Sequence, residues 1–193
     1  EYLQKSFKLL EENNDERFIA TVASNIGLAY HHRKDTLNTV KWSEKALKLS
    51  ELSNDLTAKT QSNLTLSLIE KDLNKSLQYA ENSVKYADEL KDKTHQANAY
   101  YIYADILVKL GESKKALNYA EQAVSLAQEM GDKPTLVRAS KTAGNINYNL
   151  LFTGSQVQAL GSDWDVWRNG LIYSSTMMQH TTSVNWDQVF YTY

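Results

Sequence analysis

The chain is written on a period of about 40 residues. Asn74 to Lys93, NKSLQYAENSVKYADELKDK, overlies Lys114 to Lys133, KKALNYAEQAVSLAQEMGDK, at a separation of 40. Lys75 falls on Lys115, Leu77 on Leu117, Tyr79-Ala80-Glu81 on Tyr119-Ala120-Glu121 and Asp92 on Asp132. An earlier copy, Val40 to Asp55, overlies the first of these at a separation of 37, with Trp42 on Tyr79, Glu44 on Glu81 and Asp55 on Asp92. Self-similarity at this period restricts the fold more than any single residue does. Each copy is one supersecondary unit whose apolar face is closed only by its neighbours.

Each copy follows a second helical stretch: Arg17 to Lys34, Leu56 to Lys71, His95 to Leu110, and Thr135 to about Leu150. The unit therefore reads helix A, short turn, helix B, short turn. In the third unit Ala104 and Leu107 on helix A, and Ala116, Ala120, Ala123 and Val124 on helix B, recur at helical spacing, and Gly111 punctuates the turn between them. Small residues on facing positions let two antiparallel helices approach closely.

These residues resemble the tetratricopeptide repeat. Its pattern is matched by Gly27, Tyr30 and Ala46 in the first unit, by Ala104, Leu107, Gly111, Ala116 and Ala123 in the third, and by Gly144 at the start of the fourth. The second unit departs from it, with Leu64 at the small position, Lys71 in the turn and Ser76 and Ser83 on helix B. The resemblance implies an all-α fold, a right-handed solenoid of antiparallel helix pairs over residues 1–150, followed by a less regular helical segment over 151–193. Tyr2 to Asp15 reads as a helix B with no helix A before it. This predicts a first unit that is cut short and a natural protein extending further toward its N-terminus.

Composition narrows the functional classes. With 21 basic and 23 acidic residues there is no basic field to attract nucleic acid. The absence of cysteine removes disulfides, zinc-thiolate sites and thiol nucleophiles, while leaving export open. The opening EYLQKSFKLLEE carries charge throughout and has no apolar run of signal-peptide or transmembrane type. The sequence contains no glycine-rich phosphate loop, nucleophile elbow or His/Glu zinc motif, so neither catalysis nor a cofactor is expected.

Stacked helix pairs curve, and the resemblance places the A helices on the concave face. The inward positions would then be Ser24, Leu28 and His31 in the first unit, Gln61 and Thr65 in the second, Asn98, Tyr101 and Asp105 in the third, and Arg138, Lys141 and Asn145 in the fourth. This mixture of donors, acceptors and an aromatic suits an extended peptide, although the same residues can equally be a solvated surface. Lys141 and Asn145 have the types used by some tetratricopeptide domains to hold a C-terminal carboxylate, but they sit in the last unit, so that clamp is not expected. His31 and His32 point about 100 degrees apart on a helix, which makes them a helix-end pair and not a metal site. Tyr79, Tyr119 and Trp42 recur with the repeat and are expected to pack the helix B interface.

After Leu150 the periodicity ends. From Gly154 to Tyr193 only Asp163, Asp165, Arg168 and Asp187 are charged, and Trp164, Trp167, Tyr173, Trp186, Phe190, Tyr191 and Tyr193 crowd the segment. NLLFTGSQVQ (Asn149 to Gln158) and WRNGLIYSSTMMQH (Trp167 to His180) resemble early helices of SusD/RagB-like outer-membrane nutrient-binding proteins. The resemblance implies glycan capture beside a TonB-dependent transporter, with Trp164, Trp167 and Trp186 available to stack on sugar rings, and a periplasmic or outer-membrane location. Without it, the composition fits the cytoplasm. In that family, however, the segment lies near the mature N-terminus, ahead of the bulk of the binding protein.

The leading expectation is therefore a non-enzymatic scaffold holding a peptide or protein partner on its concave face. A nutrient-capture component and the sensory part of a signalling regulator are the alternatives.

Overall fold

A computed structural model describes residues 2–13 and 16–153. Eight helices follow one another: α1 (Tyr2–Glu12), α2 (Glu16–His32), α3 (Thr36–Ser53), α4 (Leu56–Ile69), α5 (Leu73–Leu90), α6 (Lys93–Lys109), α7 (Ser113–Met130) and α8 (Lys133–Thr153). The A helices are α2, α4, α6 and α8. Each of the first three packs on the B helix that follows it, and each B helix from α3 onward packs on the next A helix. α1 packs on α2 in the manner of a B helix. The boundary expected at residue 150 falls inside α8, which continues to Thr153.

The backbones of neighbouring A helices also approach one another, α2 on α4, α4 on α6 and α6 on α8, whereas among the described residues the backbones of the B helices stay farther apart. That asymmetry gives the array its curvature. The A helices crowd the inner face and the B helices spread along the outer one.

The turns are set by local chemistry. The B helices α3, α5 and α7 each end on a left-handed residue, Asn54 (φ 51°), Lys91 (φ 57°) and Gly131 (φ 68°), and an aspartate follows at once. Asp55 accepts from the Ala58 N–H, Asp92 from the His95 N–H and Asp132 from the Thr135 N–H, so each caps the next A helix. Hydrogen bonds from the Thr135 hydroxyl and N–H hold Asp132 below the usual carboxylate range; those from the His95 N–H and imidazole do the same for Asp92. The recurring aspartate is thus a helix start, written into every repeat.

Packing in the third unit is nearly all carbon. Ala104, Leu107, Ala116, Ala120, Ala123 and Ala127 are fully buried, and Tyr119 sets its ring edge-on to Tyr103 at 4.8 Å. In the first unit, a Cβ built on Gly27 would lie 2.7 Å from Ser43 Oγ and 3.2 Å from the Ser43 backbone nitrogen. Only glycine lets α2 and α3 come so close. Trp42 on α3 packs edge-on against Phe7 of α1 at 5.0 Å, with the Lys45 ammonium over both rings.

The second unit closes differently. Ser76 Oγ of α5 donates to the Ser67 carbonyl of α4 at 2.7 Å, and Ser83 Oγ donates to the Thr60 carbonyl at 3.1 Å. Ser67 lies in the last turn of α4, where carbonyls lack an intrahelical partner, so the Ser76 hydroxyl satisfies a group that would otherwise be orphaned. Leu64 occupies the small position and is buried. The turn that carries Lys71 has no left-handed residue: Glu70 stays extended (φ −69°, ψ 132°) and its Oε1 accepts the N–H groups of Lys71 and Asp72.

Candidate functional site

The inner face carries a cavity of about 320 Å³, walled by the end of α4 (Ser67, Leu68, Glu70), the start of α5 (Leu73, Ser76), α6 from Tyr101 to Lys109, and α8 from Arg138 to Asn145. Five residues expected on the concave face meet here: Tyr101, Asp105, Arg138, Lys141 and Asn145. Their spacing along α6 and α8 places them on the side of each helix turned away from the B layer.

Within the cavity Arg138 lies over Tyr101, the guanidinium carbon 5.7 Å from the ring centroid, and Nη1 donates to the Tyr101 hydroxyl at 3.3 Å. Its Nε donates to the Pro134 carbonyl. Asp105 pairs with Lys109 one turn along α6 at 2.8 Å. Lys141 and Asn145 are exposed. Leu68 and Leu73 are large apolar side chains left 45% and 39% exposed, and both line the cavity.

Other expected positions lie elsewhere. Ser24 is a correction: it is 1% exposed, and its hydroxyl donates to the Thr21 carbonyl one turn back, so it is interior and not presented to a ligand. At that register α2 packs against its neighbours, and a serine closes its hydroxyl on its own helix. Thr65 is buried in the same way, with its Oγ1 on the Gln61 carbonyl. Gln61 is half-buried, its amide donating to Thr65 Oγ1 at 3.3 Å. Asn98 is half-buried, donates to the Thr94 carbonyl and meets Thr135 Oγ1 at 3.5 Å across the α6–α8 contact. Neither Gln61 nor Asn98 lines the cavity. Trp164, Trp167 and Trp186 lie outside the described residues.

His31 and His32 occupy the last turn of α2, with ring centroids 5.8 Å apart. Burial, and then the neighbouring His32, push the His31 pKa down. No group of three or more His, Cys, Asp or Glu suited to a metal ion occurs among the described residues. Tyr100 and Tyr103 give their hydroxyls to Asp88 (2.5 Å) and Glu81 (3.0 Å). Burial, first among the causes, raises both phenols, so they stay protonated and act as interhelical donors.

The apolar wall escaped the sequence reading because attention to A-helix positions leaves out the first turn of the following B helix. A signal was present. Leu73 stands where the repeat has Thr36 in the first unit and Ser113 in the third, an apolar residue at a position that elsewhere is a helix-starting hydroxyl.

A family model for the tetratricopeptide repeat matches residues 97–130, from the first turns of α6 to the end of α7. Among solved structures, the chain is similar to a Signal Transduction ATPase with Numerous Domains protein from Pyrococcus horikoshii, described as having a tetratricopeptide repeat sensor. The TM-score is 0.58 at 19% identity, and the match covers 77% of this chain and 24% of that one. This chain thus spans about a quarter of that protein's length. No curated protein matches. These matches bear on the repeats and lend the SusD/RagB resemblance no support. No described helix is long and apolar enough to cross a membrane. The likeness carries the fold: the described chain is an all-α, right-handed array of antiparallel helix pairs containing a tetratricopeptide repeat, the architecture of a protein-interaction scaffold that is typically non-catalytic.

Proposed function

We propose that the chain is a non-enzymatic scaffold that holds a segment of a peptide or partner protein against the inner face formed by α4, α6 and α8. The observation that carries this reading is the convergence of Tyr101, Asp105, Arg138, Lys141 and Asn145 on one cavity. An extended segment brings backbone N–H and C=O groups that need partners, and this set supplies donors, acceptors and an aromatic face side by side. Rigid helices hold the groups, so a ligand meets a site that is already formed.

The test is binding to a peptide array by the intact chain and by a Tyr101→Ala/Lys141→Ala double variant, with helicity checked by circular dichroism. A loss of at least about tenfold in affinity is expected, since both side chains stand in the groove; unchanged binding removes the groove assignment. The nutrient-capture alternative puts ligand contact on Trp164, Trp167 and Trp186. Deletion of residues 154–193 separates the two readings, because groove binding should survive it and sugar stacking on those tryptophans should not.

A further inference from the structure

The two walls of the groove differ in chemistry. On the α8 side Arg138 and Lys141 are three residues apart and share a helix face. Lys141 has no partner among the described residues, and Arg138 hydrogen-bonds only to uncharged oxygens, those of Tyr101 and Pro134, with Asp132 within electrostatic reach but not in an ion pair. Of the groove's two acids, Asp105 is paired with Lys109, whereas the Glu70 carboxylate accepts the N–H groups of Lys71 and Asp72 and keeps its charge. Two cations without an ion pair therefore lie along the α8 wall, facing the single carboxylate of Glu70 on the α4 side. The opposite wall, at the end of α4 and the start of α5, presents Leu68 and Leu73 on either side of Glu70.

An extended chain sends successive side chains to opposite sides, with a period of two residues. A groove with one cationic wall, and an opposite wall of leucines around one carboxylate, selects for that alternation, because acidic side chains are drawn to the first wall and repelled from the second. We infer that the groove takes an extended internal segment of a partner protein in which acidic and apolar side chains alternate, carboxylates toward Arg138 and Lys141 and apolar side chains toward Leu68 and Leu73. This rests on the groove being the protein-binding surface. Leu73 replaces the hydroxyl residues of the first and third units, so the departures of the second unit from the repeat pattern build the apolar wall.

The experiment uses the full chain and three capped ten-residue peptides in which leucine alternates with glutamate, glutamine or lysine, with binding read by fluorescence anisotropy. The glutamate peptide should bind at least about tenfold more tightly than the glutamine peptide, with an affinity that falls as salt screens the exposed charges. Lys141→Glu should weaken the glutamate peptide by at least about tenfold and favour the lysine peptide, while a Leu73→Ser variant should weaken the glutamate and glutamine peptides together. Equal affinity for the glutamate and glutamine peptides, unaltered by Lys141→Glu, overturns the acidic specificity and leaves the groove as a binding surface. Binding of a glutamate peptide only when its C-terminal carboxylate is left free overturns the internal-segment assignment. Failure of all three peptides to bind at millimolar concentration overturns this inference. Loss of binding to the peptide array as well overturns the scaffold reading beneath it.

Discussion

Between α6 and α7 the interior is built from Ala104, Leu107, Ala116, Ala120 and Ala123, all fully buried. Between α4 and α5 the same space holds Thr60, Ser67, Ser76 and Ser83, equally buried, and two of the hydroxyls reach across to carbonyls of the facing helix. The backbones follow the same plan because alanine and serine are both small enough for close approach. The interactions have a different character. Carbon packing is non-directional and scales with the area removed from water. A buried hydroxyl instead needs one particular acceptor, and leaving it without one costs about 1–3 kcal/mol. The third unit is thus held by contact area, and the second by contact area plus a register fixed at Ser67 and Thr60.

The largest effect that would sharpen this contrast is expected at Leu107, the bulkiest fully buried side chain in the third unit. Leu107→Ala should cost about 2–5 kcal/mol through lost burial and the cavity left behind, measured by urea unfolding monitored by circular dichroism. A loss below about 1 kcal/mol would mean that the unit collapses around the gap and is not closely packed.

Gly27 and Gly144 come next, since the repeat pattern treats them as equivalent. Gly27→Ala should cost about 1–3 kcal/mol, because the new methyl group meets Ser43 backbone as well as its hydroxyl. Gly144→Ala should instead stabilise by about 0.5–1 kcal/mol, since nothing lies within 4 Å of the added carbon and alanine is the better helix former. Thermal melts of the two variants in opposite directions are the expected result, and melts in the same direction would refute the difference in helix approach.

The smallest and most specific effect concerns the serines. Ser76→Ala should cost about 1 kcal/mol, because it strips the partner from a carbonyl in the last turn of α4. Ser83→Ala should cost less, because the Thr60 carbonyl lies well inside α4, where the intrahelical ladder already uses it. Equal losses in chemical denaturation would show that the hydroxyls contribute only bulk and would erase the distinction between the two units.

Much of this was legible beforehand, and for identifiable reasons. The period, the A and B helices, the glycine turn at Gly111 (φ 82°) and the packing role of Tyr119 and Trp42 all follow from residues repeating in register. For Asp55, Asp92 and Asp132 the alignment showed only that they recur; their role as caps of the following helix came from the structure, although its cause is local. Ser24 went the other way, because at helical spacing a buried serine and a groove-facing serine look alike in one dimension. Leu68 and Leu73 were missed as groove residues because an isolated leucine beside a turn reads as ordinary amphipathic text.

The sequence by itself determined the periodic architecture, the helix starts and the exclusion of thiol chemistry, since these depend on neighbours within a few turns or on composition. Only the tertiary structure decided which residues share the groove. Tyr101 and Arg138 are 37 positions apart, and Leu73 is farther still from Lys141. They come together because the backbones of the A helices approach one another across units, and the first turn of α5 closes the α4 side of the same cavity. That curvature comes from the summed sizes of many interface side chains, and no short stretch of the chain encodes it.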